Sequence, residues 1–489
     1  MLKIFASNFL GKTPLWYKYT ILAFLVVNPL VFYLISPFVA GWLLLLEFIF
    51  TLALALKCYP IPPGGLLALE AVLIGITTPD GIYREIVANL PTILLLIFMV
   101  AGIYYVKDVL FLIFTKIFIK FKKKHTLSLM FCLLSGAASS FLDALTLMAV
   151  LIGVCFNFFA IYHRVEGSRA EGRGEAGELA AKDMEEFRGF LRNLIMHGAI
   201  GTALGGTMTI VGEPQNLMIG NMMNWSFGEF FLHCSVVSVP VAIVALIVCP
   251  MLEIFKFPGF GYELPEKARK IIVADYEKKA RQMTRQTVYL YGVQTVVAIL
   301  LFFSLAFHVA EIGLIGIALI IVMSAFSGIT KEHDFAGAFS NAMPFVSLLI
   351  VFFAILSVVH DQHLVAPLAA WVFTFKGTTQ LIALYFVNGI LSFISDNVFV
   401  ASVFSSEVQR AYQAGLFSFE WFEKLGVVVN MGTNIPAVAT PNGHAAFLFL
   451  LTSSLAPIIK LSYVEMVKLA LPYTIVMTIT GGLAVYFFL

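Results

Sequence analysis

The chain is poor in charge. Only 12% of its 489 residues are Asp, Glu, Lys or Arg, against 60% hydrophobic. A soluble globular protein carries about 25% charged residues, so an ordinary soluble domain is excluded. Short segments of alternating apolar and polar residues are missing too, which excludes a transmembrane β-barrel. Cysteine is sparse: Cys58, Cys132, Cys155, Cys234 and Cys249 are scattered, with neither metal-ligand spacing nor a disulfide framework. No resident metal or cofactor is therefore expected. No cleavable signal peptide is evident, and residues 1–20 read as a short basic amphipathic stretch at the membrane interface. The net charge of +2 is uninformative as a total, and no nucleic-acid partner is expected.

What the chain has instead is apolar length. Apolar runs of about 18 residues or more recur throughout. Lipid offers backbone groups no hydrogen-bond partners, so spans of this kind are helical. The reading is an all-α polytopic membrane protein embedded in a lipid bilayer. The longest runs fall near 127–161, 190–223, 230–255 and 379–405, while others, such as 364–375, are too short for a simple span.

Basic residues set the orientation. Lys116, Lys120, Lys122, Lys123 and Lys124 crowd one stretch, and the linker 256–286 carries Lys256, Lys267, Arg269, Lys270, Lys278, Lys279, Arg281 and Arg285. Both belong on the cytoplasmic side. The segment 162–188 is charged with both signs and rich in Gly, so it reads as a flexible cytoplasmic insertion. The stretch 360–378 has only Asp361 and Lys376 as formal charges, which suits a periplasmic loop.

Against this background one pattern occurs twice: Gly136-x-x-Ser139-x-x-x-Asp143 and Gly389-x-x-Ser392-x-x-x-Asp396. Each copy lies in an apolar run, where a carboxylate is expensive and signals function. Each is followed by a Gly/Thr/Pro/Asn segment, GTALGGTMTIVGEPQN (201–216) and GTNIPAVATPNG (432–443). The predicted helix breaks are Gly205, Gly206, Gly212 and Pro214 in the first segment and Pro436, Pro441 and Gly443 in the second. Broken helices free backbone carbonyls for a cation and point helix N-termini into the membrane interior. The first copy follows a Lys-rich stretch and the second a charge-poor one, so the two enter from opposite faces, as inverted repeats do. Aligning Pro214 with Pro441 leaves the first repeat longer by about the insertion 162–188, and sets Glu213 against Thr440.

The candidate cation- and proton-binding residues are Asp143, Ser139, Thr146, Asn216 and Glu213 in the first repeat. Those in the second are Asp396, Ser392, Ser395, Asn397 and Asn442. Carboxylate, hydroxyl and amide oxygens are hard ligands that suit alkali cations. A carboxylate in low dielectric holds a proton more tightly than in water, so a cation and a proton can compete for it. A lone intramembrane Asp is sometimes only a hydrogen-bond partner; Asp, break and Pro-Asn repeated in order outweigh that reading. Glu47 and Glu70, which have no repeat counterpart, and His197, His360, His363 and His444 carry less weight.

The stretches 28–60, SSFLDALT (139–146), GTALGGTMTIVGEPQNLMI (201–219), SFISDNVFV (392–400) and TNIPAVATPNGHAAFLFLLTSSLAP (433–457) resemble the NhaB-type bacterial sodium/proton antiporters over nearly the whole chain. The resemblance implies an inner-membrane protein that exchanges Na⁺ or Li⁺ for H⁺, with Asp143 as the aspartate important for transport. The wider ion-transporter superfamily implies two inverted repeats, each with a re-entrant hairpin and a discontinuous helix, and a homodimer with a fixed scaffold and a moving transport domain. On that pattern the scaffold comprises 1–125 and 287–375. The transport parts are 126–255, with the insertion, and 376–489, and residues 256–286 link the halves. The function expected is a secondary active, electrogenic antiporter, not an enzyme. Three other readings have discriminators. A superfamily carrier for arsenite or dicarboxylate would want basic or neutral site residues. A channel would need a continuous polar path, and an intramembrane aspartyl hydrolase would need its two carboxylates within a few ångströms.

Overall fold

The computed structural model describes residues 7–170, 175–307 and 309–489. Among them every regular element is a helix. In chain order these are α1 (Leu15–Leu34), α2 (Pro37–Ala53), α3 (Ile61–Ile74), α4 (Pro79–Ala88), α5 (Leu90–Tyr104), α6 (Lys107–Lys120), α7 (Lys124–Ser139), α8 (Ala144–Ala170), α9 (Glu175–Met208), α10 (Pro214–Met223) and α11 (Phe227–Ile254). The second half holds α12 (Glu266–Arg281), α13 (Arg285–Ala306), α14 (Ile312–Ser327), α15 (Glu332–Asp361), α16 (Ala366–Phe373), α17 (Thr378–Ile394), α18 (Asn397–Gln413), α19 (Phe419–Asn434), α20 (Ala445–Thr452) and α21 (Tyr463–Phe488). Among the described residues six helices are long and apolar enough to cross a membrane, seven if α4 and α5, bent by 65° at their junction, count as one span.

Local chemistry sets the ends. Ser36 caps α2 by accepting from the Val39 amide ahead of Pro37, and Ser226 and Glu229 close a reciprocal capping box on α11. Gly75 and Gly328 end α3 and α14 in the left-handed conformation that glycine adopts without steric cost. Large apolar side chains face outward on α3 (Leu69, Leu73), α13 (Ile299, Leu300) and α21 (Ile479, Leu483), as lipid-facing surfaces require.

The helices pack in two groups. α1 to α5 pack with α14 and α15, and α7 to α11 pack with α17 to α21. Within the second group α9 holds both α7 and α8, and α19 holds both α17 and α18. Phe48 against Phe352 shows how the first group is joined across the halves of the chain, with ring centroids 5.4 Å apart edge to face.

Two expectations are corrected. The charged segment 162–188 is not a free loop, because its described residues extend α8 and α9. Its Ala, Glu, Lys and Arg residues are strong helix formers. Tyr162 and Phe187 pack edge to face at 4.9 Å, and Lys460 reaches Glu185 at 2.6 Å. The link 256–286 contains a further helix, α12, whose Ala268 and Ile272 are buried. Its Arg269 donates to Ile119 O at 2.6 Å and Phe121 O at 3.3 Å, satisfying carbonyls at the end of α6.

Candidate functional site: two carboxylates at helix breaks

The run 127–161 breaks after Ser139 and resumes as α8 at Ala144. Asp143 stands just before α8. Its Oδ2 accepts from the Thr146 amide at 3.2 Å and lies 3.5 Å from the Thr146 hydroxyl, while Oδ1 has no partner. The run 379–405 breaks in the same way, and Asp396 caps α18. Its Oδ1 accepts from the Val398 amide at 2.9 Å and the Phe399 amide at 3.3 Å. Unpaired amides and the positive end of the helix dipole stabilise an anion there. Asp143 is 2% exposed and Asp396 6%.

Around them lie buried polar atoms with no protein partner: Ser139 Oγ, Ser392 Oγ, both amide atoms of Asn397, and Asn442 Oδ1. Buried polar groups are nearly always paired, and the oxygens among these, in the same broken segments as the two carboxylates, are hard donors of the kind that suit a small cation. Ser395 differs, donating instead to Leu391 O at 2.9 Å. Asn216 is also occupied: its Nδ2 donates to Gly206 O and Thr209 O, both at 2.7 Å, closing carbonyls freed where α9 ends.

The predicted breaks divide. Gly212 and Pro214 lie at the gap between α9 and α10, and Pro436, Pro441 and Gly443 lie between α19 and α20. Gly205 and Gly206 do not break the chain, being inside α9. A Cβ on Gly205 would collide with Gly136 O, so Gly205 serves a close helix crossing, while one on Gly206 would meet Glu213 and Gly212 O, so Gly206 makes room for the chain that follows.

The same contacts recur in both halves, position for position. Thr209 Oγ1 donates to Ser140 O at 2.6 Å, and Thr440 Oγ1 donates to Phe393 O at 2.7 Å. A Cβ on Gly201 would collide with Cys132 O, and one on Gly432 would lie 2.8 Å from Tyr385 O. A Cβ on Gly212 would lie 2.5 Å from Gly206 O, and one on Gly443 2.5 Å from Ala437 O. This register replaces the proline alignment. Thr440 matches Thr209, and the match for Glu213 is His444. These two residues begin α10 and α20, and His444 Nε2 lies 3.0 Å from Glu213 Oε1.

Sequence reasoning gave His444 little weight and missed an amide chain. Gln215 Nε2 donates to Asn434 Oδ1 at 2.7 Å, and Asn434 Nδ2 reaches Asn216 Oδ1 at 3.2 Å and Asn430 Oδ1 at 2.7 Å. Its signal was two Asn four residues apart in the apolar run 425–435. The other weighted groups lie elsewhere. Asn28 bridges Glu47 and Glu70 at 2.7 and 2.8 Å. His197 pairs with Glu253, which also pairs with Lys124. His360 pairs with Glu85 at 2.7 Å. His363 stands in a turn with φ 50°.

A cavity of about 730 Å³ is lined by residues of both packing groups. Thr146, Asp396 and Asn442 line one side, and Phe352, Tyr104 and Asp108 the other.

A family model described as bacterial Na⁺/H⁺ antiporter B (NhaB) matches residues 1–489. A Marinobacter nauticus protein named Na(+)/H(+) antiporter NhaB is 52% identical, covering 99% of this chain and 97% of its own length. Proteins of the same name from Saccharophagus degradans and Photobacterium profundum are 52% and 50% identical, covering 98% and 99% of this chain and 98% and 93% of their own lengths. The chain belongs to the NhaB family of Na⁺/H⁺ antiporters, multi-pass proteins of the bacterial inner membrane that exchange sodium ions for protons.

Proposed function

We propose that exchange runs through two sites built on the matched breaks. Asp143, with Ser139 and Thr146, forms one. Asp396, with Ser392, Ser395, Asn397 and Asn442, forms the other. Asn216 shapes the break between them, and Glu213 adds a third carboxylate. The carrying observation is the set of partnerless oxygens at Asp143, Ser139, Ser392 and Asn442. Either a proton on the carboxyl or an alkali ion among the oxygens meets their need, and the two cannot occupy one carboxylate together. Falling pH therefore raises the apparent KM for Na⁺, because protons take the carboxylates first.

The recurring contacts support two halves of one design, and the placement of basic residues supports their entering the membrane from opposite faces. We read 126–255 and 376–489 as the moving body and 1–125 with 287–375 as the scaffold, joined through the linker 256–286. Rigid movement of one body against the other would open the sites alternately. Li⁺, smaller than Na⁺ and likewise a hard cation, is a second substrate on this reading, the protein works as a homodimer, and unequal counts of Na⁺ and H⁺ make the exchange electrogenic.

The test is proton flux in inverted vesicles holding a respiratory pH gradient. Na⁺ or Li⁺ should collapse the gradient and K⁺ should not. Asp143→Asn should abolish the response with the protein still in the membrane. An unchanged response from that variant removes Asp143 from the exchange.

A further inference from the structure

The register that pairs the two breaks brings Glu213 and His444 to one point. Both are the residues from which a half-helix starts. Their side chains are 2% and 1% exposed and stand at ion-pair distance, 3.0 Å. Neither facing atom makes an aligned hydrogen bond, and His444 Nδ1 has no partner. The contact is therefore one of proximity rather than of directed bonding. The Ala144 amide, next to Asp143, donates to Gly212 O, next to Glu213, at 3.2 Å, and a Cβ on Gly443, next to His444, would lie 2.8 Å from Ser392 O, so the pair stands between the two breaks, where a carboxylate's field reaches both. In a dry interior such interactions are screened little.

We infer that Glu213 is shared by the two cation sites, and that His444 is a positioning residue holding it between them. This rests on the reading that Asp143 and Asp396 each hold a cation. When one site loads, the cation draws the Glu213 carboxylate toward itself. The other site then loses part of its negative field and binds its cation more weakly. The two sites are coupled through one side chain, and the coupling is reciprocal. Two like carboxylates at mirror positions would repel each other. A carboxylate opposite an imidazole does not, which gives this position in the repeat a reason to differ between the halves.

Equilibrium Na⁺ binding to the purified full-length protein tests this. The wild type should bind in two phases with Kd values at least tenfold apart. Glu213→Gln should bring them within about threefold, and His444→Gln should do the same by releasing Glu213. In the Glu213→Gln background, His444→Gln should add nothing, and the exchanged pair Glu213→His/His444→Glu should restore two phases. A single wild-type phase, an unchanged separation in Glu213→Gln, or an additional effect of His444→Gln in the double variant would overturn the inference. If His444→Gln does not assemble, Glu213→Gln decides alone. Asp143→Asn and Asp396→Asn separate the two levels. If each loses one Na⁺ while the wild type shows one phase, the sites stand and the sharing falls; if both still bind the full complement, the sites themselves are wrong.

Discussion

The break at Asp143 and the break at Asp396 have the same skeleton and different chemistry. Both put a carboxylate at a helix start, both tie a Thr hydroxyl to the preceding turn, and both press a glycine against a carbonyl. Yet Ala144 follows Asp143 where Asn397 follows Asp396, Ser135 faces Asn388 in register, and Glu213 faces His444. The cavity lining includes Asp396 and not Asp143. Backbone contacts that define the breaks tolerate little change, because a buried carbonyl without a partner costs about 1–3 kcal/mol. Side chains beside the breaks are free to differ, and it is there that two similar frames carry unlike groups.

The comparison breaks first at the carboxylates. Asp143→Asn and Asp396→Asn should each lower Na⁺/H⁺ exchange at least about 100-fold, since an amide neither gives up a proton nor compensates a cation. Vesicle flux at matched protein levels checks this. An active Asp396→Asn with a dead Asp143→Asn would show that only one break works.

Next come the glycines. Gly201→Ala should destabilise more than Gly432→Ala, because its Cβ meets Cys132 O more closely than the other meets Tyr385 O. Overpacking of this kind costs about 1–3 kcal/mol, and thermal unfolding of the purified variants reads the order. Equal losses would mean that the two crossings are equally tight.

Much of this was legible beforehand. Aspartates within apolar runs stand out because hydrocarbon tolerates so few, and their Gly-x-x-Ser prefix made the duplication visible. The register of the recurring contacts was not. Proline marks a break loosely, whereas Gly212 and Gly443 sit where no Cβ fits, and aligning prolines hid the pairing of Glu213 with His444. Gly205 and Gly206 looked like breakers because glycine density alone does not distinguish a chain break from a helix crossing, as at Gly205, or from room made for the following chain, as at Gly206. The charges of 162–188 excluded a span but not a helix end, since Glu, Lys and Ala all favour helix.

Smaller effects sharpen the picture. Ser139→Ala and Ser392→Ala each remove one partnerless oxygen and should raise the KM for Na⁺ a few-fold, with little change in maximal rate. A fall in rate at constant KM would assign these hydroxyls to movement instead of binding. Thr209→Val and Thr440→Val should cost stability about equally, about 1 kcal/mol each, because their bonds to Ser140 O and Phe393 O are alike in length. Unequal unfolding midpoints would show that one break is strapped more firmly.

The most direct measurement is proton release when Na⁺ is added to the purified protein in weakly buffered solution. The wild type should release protons, each single Asp→Asn variant fewer, and the Asp143→Asn/Asp396→Asn double variant none. Release from the double variant equal to that of the wild type would contradict exchange at these two carboxylates.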